Sequence, residues 1–555
     1  MTPAELQVAV GDLVRSAAAR RGADLTLSEA DLLLERPRSR EHGDWASTVA
    51  MRVGKRIGVP PRDLAQELAT DLGGLPGVAG VAVAGPGFIN ITLEAASAGA
   101  LAARIVQEGE AFGRSDLLAG RSVNMEFVSA NPTGPLHLAH TRWAALGDAI
   151  SRVLRASGAE VVDEYYINDA GSQMDHFGAS VLAAARGLPT PEGGYPGEYI
   201  ADLAKALVAE DPEVLELADA AALALARDFG YKRQLEEIKR SLLDFNVHFD
   251  VWFSERSLHD DSDGPSAIEV AVERLRAQGR VFEADGALWL RTSEFGDDKD
   301  RVLVRSNGET TYFAADAAYY LDKRDRGYDE KVYLLGADHH GYIGRLKALA
   351  AAAGDDPDSV TVLIGQTVKV NGARLSKRAG NIVELVDLLD WLGSDSLRYW
   401  LARYPADTPL DLDGEQLRRR TNDNPVFYVQ YAHARTRSVA RNAVIAEVTR
   451  QHDGRDAFDP ALLTHPTESD LLGALEQFPR TVERAATLRE PHRVARYLEQ
   501  LAGAYHRWYD NCRVIPVAGE PVEDVHRTRL VLNEAVGQVL RNGLDLLGVT
   551  APERM

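Results

Sequence analysis

The sequence predicts a multidomain α/β protein. Residues 1–115 read as a small α+β domain, residues 116–383 as a parallel-sheet domain with a helical insertion at about 185–300, and residues 384–555 as an all-α bundle. Three observations carry that reading. At about 150 residues per domain, a chain of 555 residues holds three or four domains. Between residues 122 and 167 a strand, a helix and a second strand follow one another, the unit from which parallel sheets are built. From about residue 384 onward every periodic segment is helical.

Composition bounds the class. Hydrophobic residues make up 45% and charged residues 26%, an ordinary soluble mixture and too apolar for a chain that stays disordered. The 47 Gly and 24 Pro follow no fixed period, which excludes a collagen-like fibre. Cys512 is alone, so an internal disulfide and a cysteine-built zinc site are both excluded, and no structural zinc or other resident metal is expected. A reducing compartment suits such a chain. The net charge of −21 argues against nonspecific coating of nucleic acid but leaves room for one local binding face. Residues 411–555 are the most nearly balanced part, with 19 basic residues, all Arg, against 21 acidic ones. Arg exceeds Lys throughout, so no single Arg is evidence by itself. No apolar run reaches the ~20 residues of a membrane span, and the N-terminal segment lacks a secretory core. The expected location is the cytoplasm, without membrane contact.

Taken in order, residues 1–22 read as an amphipathic helix with Leu6, Val10, Leu13, Val14 and Ala17 on one face. Pro60-Pro61 opens a second helix. Residues 78–83 and 88–93 are strands separated by Gly85-Pro86-Gly87, a hairpin signal. Residues 122–128 form a strand, 131–135 a turn cluster, and 137–156 a helix with Trp143, Leu146, Ile150, Val153 and Leu154 on its apolar face. Gly158 ends that helix and a strand follows at 161–167. Residues 331–335, 342–353 and 360–364 repeat the strand, helix, strand order. Helices are then expected at 384–403, 415–441, 469–488, 491–511 and 525–547.

Two segments carry chemistry. At the first, a strand runs through Pro132, Gly134 and Pro135 into a helix opening at His137-Leu-Ala-His140. A helix N-terminus presents unpaired N–H groups and a positive dipole end, which suit a triphosphate. His137 and His140, three apart, share one face of the first turn and can donate to phosphate oxygens. By spacing alone, they are equally a pair of capping histidines, and a zinc reading lacks a third ligand nearby. At the second, the Asn371-Gly372 turn leads into Arg374-Leu-Ser376-Lys377-Arg378, a loop able to close over phosphates or simply a solvated basic turn. Asp316 and Tyr312 stand one helical turn apart near a helix start, where a carboxylate could face a guanidinium or merely meet the helix dipole.

Together these segments resemble a class I aminoacyl-tRNA synthetase, whose two signatures are similar to His137–His140 and to Arg374–Lys377. Ala139 stands where the class has Gly, and Arg374 where it has its first Lys. The stretches Glu126–His137, Tyr165–Gly171, Gly336–Gly341, Asn424–Arg435 and Ala551–Met555 resemble the arginyl-tRNA synthetase family in particular, as do Glu41–Asp44 and Ala84–Asn90. The resemblance implies a Rossmann-like catalytic domain, ATP with Mg²⁺, L-arginine and its cognate tRNA as partners, and a monomer. It assigns Asp316 and Tyr312 to the guanidinium, and Glu126, Ser129 and Asn131 to the amino-acid end of the substrate. It puts Pro132, Gly134, Gly336, Asp338, His340, Gln366 and Val368 at ATP. His137, His140, Lys377, Arg374 and Ser376 become catalytic, and Tyr509, Arg435 and Met555 meet tRNA. Tyr505 and Trp508 are further candidates for stacking on bases, and Arg480, Arg484, Arg489, Arg493 and Arg496 for phosphates. The family also implies activation that depends on tRNA. A nucleotidyltransferase of another class and a non-catalytic tRNA-binding relative are the rival readings.

Overall fold

The computed structural model describes residues 3–35, 37, 40–371 and 383–555. The N-terminal segment packs the helices Pro3–Ala19 and Pro61–Gly73 on an antiparallel sheet ordered Leu34–Glu35, Trp45–Ser47, Phe88–Leu93, Val78–Ala84. Leu6, Val10 and Val14 from the first helix meet Leu64, Leu68, Ile89 and Ile91 in one core. Gly43 sits at φ 81° with its Cα against the Ile91 carbonyl, where a Cβ would lie 2.6 Å from the oxygen. The adjacent Asp44 carboxylate accepts from Leu93 N at 2.9 Å, so the Glu41–Asp44 stretch closes the sheet edge.

Among the described residues, five strands pair into one parallel sheet, in the order Val360–Gly365, Glu330–Gly336, Ser122–Glu126, Glu160–Ile167, Val251–Ser254. From Ser122–Glu126 the chain builds the sheet in one direction, then returns to add the remaining strands on the other side. The crevice between Ser122–Glu126 and Glu330–Gly336, at their carboxyl ends, is therefore the switch point where such sheets bind ligands.

The stretch 185–300, expected as a helical insertion, differs from that expectation. Val251–Ser254 lies inside it and is the edge strand of the parallel sheet, pairing with Glu164–Ile167. Val251, Trp252 and Phe253 are strand formers, but a run of four residues is too short to be told as part of a sheet by pattern alone. The inserted material comes in two pieces: the helices Glu198–Glu210 and Asp219–Asp244 before that strand, and a three-stranded antiparallel sheet, Val281–Ala284, Ala287–Leu290 and Arg301–Val304, after it. The region from 384 onward is likewise not helix alone. Leu410–Asp413 pairs in parallel with Val368–Asn371, and Gln451–His452 pairs with Arg455–Asp456. The long helices expected there are broken where local chemistry demands it. Gly393 at φ 78° divides Leu385–Leu392 from Ser394–Ala402, and Pro425 starts Pro425–Ile445 afresh.

The helix Leu138–Ala156 is the centre of the assembly. Gly147 lets Phe127 approach so closely that a Cβ there would fall 2.2 Å from the ring, and Gly365 does the same for Trp143 at 1.9 Å. Arg142, fully buried, donates to the carbonyls of Gln366 at 2.7 Å, Thr367 at 3.3 Å, Pro405 at 3.0 Å and Thr408 at 2.8 Å. Asp148 pairs with the equally buried Arg398, which also donates to the carbonyls of Phe245, Asn246 and Leu547. Among the described residues no helix is long and apolar enough to cross a membrane.

Arg398→Met should lower stability by about 3–5 kcal/mol, because it strips three buried carbonyls of their donor and leaves the buried Asp148 carboxylate with Arg152 as its cation. An earlier midpoint in urea denaturation, with no change in Arg142-dependent contacts, is the expected result.

Candidate functional site

The strand Ser122–Glu126 ends in a backbone that is strained. Val128 has φ 67° and Ser129 φ 43°, conformations that cost a non-glycine residue about 1–3 kcal/mol each. They are held by the neighbouring strand: the Tyr165 hydroxyl accepts from Ala130 N at 3.1 Å and donates to Ala130 O at 2.9 Å, and Ser129 Oγ accepts from Tyr166 N at 3.1 Å. From the inserted helix Glu198–Glu210, the Tyr199 hydroxyl donates to Thr133 O at 3.0 Å. The turn is thus clamped from both sides before it enters the helix.

A cavity of about 1810 Å³ opens over this turn. Glu126, Ser129, Asn131, Gly134, His137, Ala139, His140, Asp316 and Gly336 all line it. Residues of distant sequence, expected to act together, therefore share one space. The His137 and His140 rings stack 3.8 Å apart. His137 N donates to His140 Nδ1 at 3.4 Å, which leaves the proton of a neutral His140 ring on Nε2 as a donor. Burial pushes the His140 pKa down to about 3, with the neighbouring His137 adding to the effect; burial lowers His137 too. Not every N–H at the helix start is open to a ligand, since Leu138 N is taken by Val383 O at 3.2 Å. Val383 is thereby docked on the histidine turn.

The opposite end of the cavity is acidic. Glu126 accepts from Lys323 Nζ at 2.5 Å and from the Tyr319 hydroxyl at 3.0 Å on one oxygen, and from Ser129 Oγ at 3.3 Å on the other. The Asp316 carboxyl opens onto the cavity but is otherwise ringed by protein. Burial raises its pKa to about 7; Arg345 opposes the rise, and the Glu126 and Glu255 carboxylates add to it. Such a carboxyl lacks a full counter-charge and favours a cationic ligand.

Several expected residues stand elsewhere. Tyr312 is 76% exposed and does not line the cavity beside Asp316. It is the first residue of its helix and stands in solvent one turn before Asp316. Pro132 is buried under the turn. His340 is exposed, and His339 lines the cavity instead. Gln366 and Val368 are not lining residues; the Gln366 carbonyl is held by Arg142, and Val368 packs on the core. The side chain of Asp338 and the whole of Arg374, Ser376 and Lys377 lie outside the described residues. Tyr319 and Lys323 were missed. The available signal was their i+3 and i+7 spacing from Asp316 on an otherwise alanine-rich helix.

In the helical region Arg435, Tyr509 and Met555 line one cleft. The Arg435 guanidinium lies over the Tyr509 ring at 4.6 Å and donates to the Tyr431 hydroxyl at 2.8 Å. Tyr509 and Met555 are exposed. Tyr505 and Trp508 are fully buried, with the Tyr505 hydroxyl on Asn533 at 2.8 Å, so neither can stack on a base. Arg489 pairs with Glu330 and Arg493 with Glu490, whereas Arg480, Arg484 and Arg496 are exposed. Among the described residues no group of three or more His, Cys, Asp or Glu side chains converges as metal ligands.

Three family models match the chain: the arginyl tRNA synthetase N terminal domain over residues 5–93, the class I (R) tRNA synthetase catalytic domain over 226–398, and the DALR anticodon binding domain over 429–555. The histidine turn falls between the matched segments, but full-length relatives span it. The chain is 61% identical to an arginine–tRNA ligase of Pseudarthrobacter chlorophenolicus and 62% identical to one of Renibacterium salmoninarum, each covering 100% of both chains. It is similar in structure to the Thermus thermophilus arginyl-tRNA synthetase, with a TM-score of 0.76, 25% identity and 100% of both chains covered.

His140 should remain neutral at any pH well above about 3 in the free protein and gain proton affinity when a triphosphate occupies the cavity. NMR titration of the ring nitrogens with and without ATP measures both states. Because the folded value is depressed, this residue's contribution to stability is full above the unfolded value and is lost as pH falls toward 3.

Proposed function

The chain belongs to the arginyl-tRNA synthetase family, and from that premise we propose how its cavity serves the reaction. The enzyme is an arginine–tRNA ligase: it activates L-arginine with ATP as arginyl-adenylate and transfers the arginyl group to the 2′-hydroxyl of the terminal adenosine of its tRNA. The observation that carries the site reading is that the poorly compensated Asp316 carboxyl opens onto the same cavity as the His137–His140 turn.

In this reading the arginine guanidinium binds Asp316, and the α-amino group binds Glu126 with Ser129 and Asn131. A guanidinium is planar and permanently charged, so it holds the carboxylate ionised and accepts a bidentate geometry. ATP lies over Gly134 and Gly336, with its α-phosphate at the helix start. Mg²⁺ enters on the triphosphate, held by phosphate oxygens and water. A carboxylate oxygen of arginine attacks the α-phosphorus, and the bond to the bridging oxygen breaks as pyrophosphate leaves. The Nε2–H of His140 and the ring of His137 stabilise the charge on the α-phosphoryl oxygens, while Lys377, Arg374 and Ser376 draw off pyrophosphate. The 2′-hydroxyl then attacks the arginyl carbonyl and AMP departs. Arg435, Tyr509 and Met555 form the proposed tRNA contact, supported by one exposed ring stacked under a guanidinium.

The test is arginine-dependent ATP–pyrophosphate exchange in the presence of the cognate tRNA. Exchange with arginine and with none of the other amino acids is the expected outcome. Asp316→Asn should raise the KM for arginine by about 100-fold while leaving tRNA affinity in place, since one partner of a desolvated charge pair is lost. Unchanged arginine selection in that variant would remove Asp316 from the guanidinium site.

Tyr509→Ala should weaken tRNA binding by about 1–3 kcal/mol, the range for loss of one stacked base. Pyrophosphate exchange at saturating tRNA should stay the same; equal tRNA affinity in a filter-binding titration would exclude stacking at this position.

A further inference from the structure

Beneath the acidic end of the cavity lies a lysine that neither the signatures nor the proposed contacts use. Lys323 has no exposed surface. Its Nζ is 2.5 Å from Glu126 Oε2 and 4.0 Å from Glu164 Oε1, and it lies 4.5 Å from the centre of the Tyr319 ring and 4.2 Å from that of Tyr333. Tyr319 bridges the same two carboxylates with its hydroxyl. Glu164 already has its own cation, because Arg326 grips it through two hydrogen bonds of 2.6 and 3.0 Å. Lys323 also lowers the Glu164 carboxyl pKa from 4.0 Å, but its direct hydrogen bond, at 2.5 Å, goes to Glu126.

We propose that Lys323 is a positioning residue for arginine: from under the cavity floor it captures Oε2 of Glu126 and leaves Oε1, beside Ser129, turned to the α-ammonium group of the substrate. The inference rests on the placement of that group at Glu126 in the proposed function. Its physical basis is the crowding of negative charge. Asp316 faces the same region, and its carboxylate and that of Glu126 repel each other. A cation built in beside a buried carboxylate offsets that repulsion and fixes which oxygen is presented. Without Lys323, Oε2 of Glu126 would be held by the Tyr319 hydroxyl at 3.0 Å, and Oε1 would be less firmly presented to the substrate. The other charged groups around the pair are Asp322 and Lys331, which feel the Lys323 charge, and Arg345, which acts on Asp316. The phenols of Tyr166, Tyr319 and Tyr333 face Glu126 and stay protonated through burial.

Pyrophosphate exchange tests the proposal. Glu126→Gln should raise the KM for arginine; no rise would dismiss the Glu126 contact itself, and with it the premise. Given that rise, Lys323→Met should raise the KM for arginine about 30-fold. The KM for ATP should change by less than about twofold, and Lys323→Arg should restore much of the loss. A parallel rise in both KM values would make Lys323 a purely structural residue and overturn the proposal. The charge-balanced double variant Glu126→Gln with Lys323→Met keeps the question answerable if the single lysine variant does not fold. Acting only through Glu126, Lys323 should add nothing to the effect of Glu126→Gln; a further rise in the KM for arginine would overturn its assigned role.

Discussion

The seating of the helix Leu138–Ala156 is the constraint on which the rest of the molecule depends. Two glycines make it possible. Gly147 admits the Phe127 ring and Gly365 admits Trp143, so the helix lies directly on the sheet. Two buried arginines then tie the helical region to it. Arg142 gathers four carbonyl groups from the segments around residues 366 and 405, and Asp148 meets Arg398, which reaches the chain end at Leu547. A buried guanidinium is costly unless its donors are satisfied, and here backbone carbonyls and Asp148 meet the terminal nitrogens of both, while Arg142 Nε has no partner. The histidine turn at the front of this helix thus inherits its position from both the sheet and the helical region.

The cavity has an electrical direction. At one end are two neutral histidines at the positive end of a helix dipole, a place for phosphate oxygens. At the other are Glu126, Asp316 and, behind them, Glu255, a place for a cation. Arginine bears positive charge at both its α-amino group and its side chain, and its carboxylate must meet the α-phosphate. The arrangement orients such a molecule without a moving part. Strain at Val128 and Ser129 belongs to the same design, since it turns the backbone after Glu126 into the cavity and is held there by Tyr165.

A chain of net charge −21 meets a polyanion through local features. The cleft of Arg435, Tyr509 and Met555 is one such feature, formed because the chain end folds back along Pro425–Ile445. His433 bonds the Pro552 carbonyl at 2.9 Å and Arg441 the Glu553 carbonyl at 3.2 Å. By contrast Arg489, in a left-handed conformation, is tied to Glu330 on the parallel sheet. Its charge joins two parts of the protein and is not available to a phosphate.

The sequence by itself determined the elements whose signals are local. The strand–turn–helix at residues 122–156 was legible from apolar periodicity and turn residues, and the histidine pair from its place at a helix start. So was the pairing of 78–83 with 88–93, because a glycine-rich turn fixes a hairpin at short range. The tertiary structure decided what depends on contacts across the chain. The four half-buried residues Val251–Ser254 become a sheet strand only because Glu160–Ile167 offers an edge. Tyr312 and Asp316, one turn apart, part company because one starts the helix in solvent and the other faces inward. Tyr505 and Tyr509 look alike in sequence, yet one is buried on Asn533 and the other is exposed under Arg435. Lys323 acquires a role only once the strand carrying Glu126 lies beside its helix, nearly 200 residues away in the chain. Periodicity reports which face of an element is apolar; which charge meets which is set by packing, and no single segment encodes it.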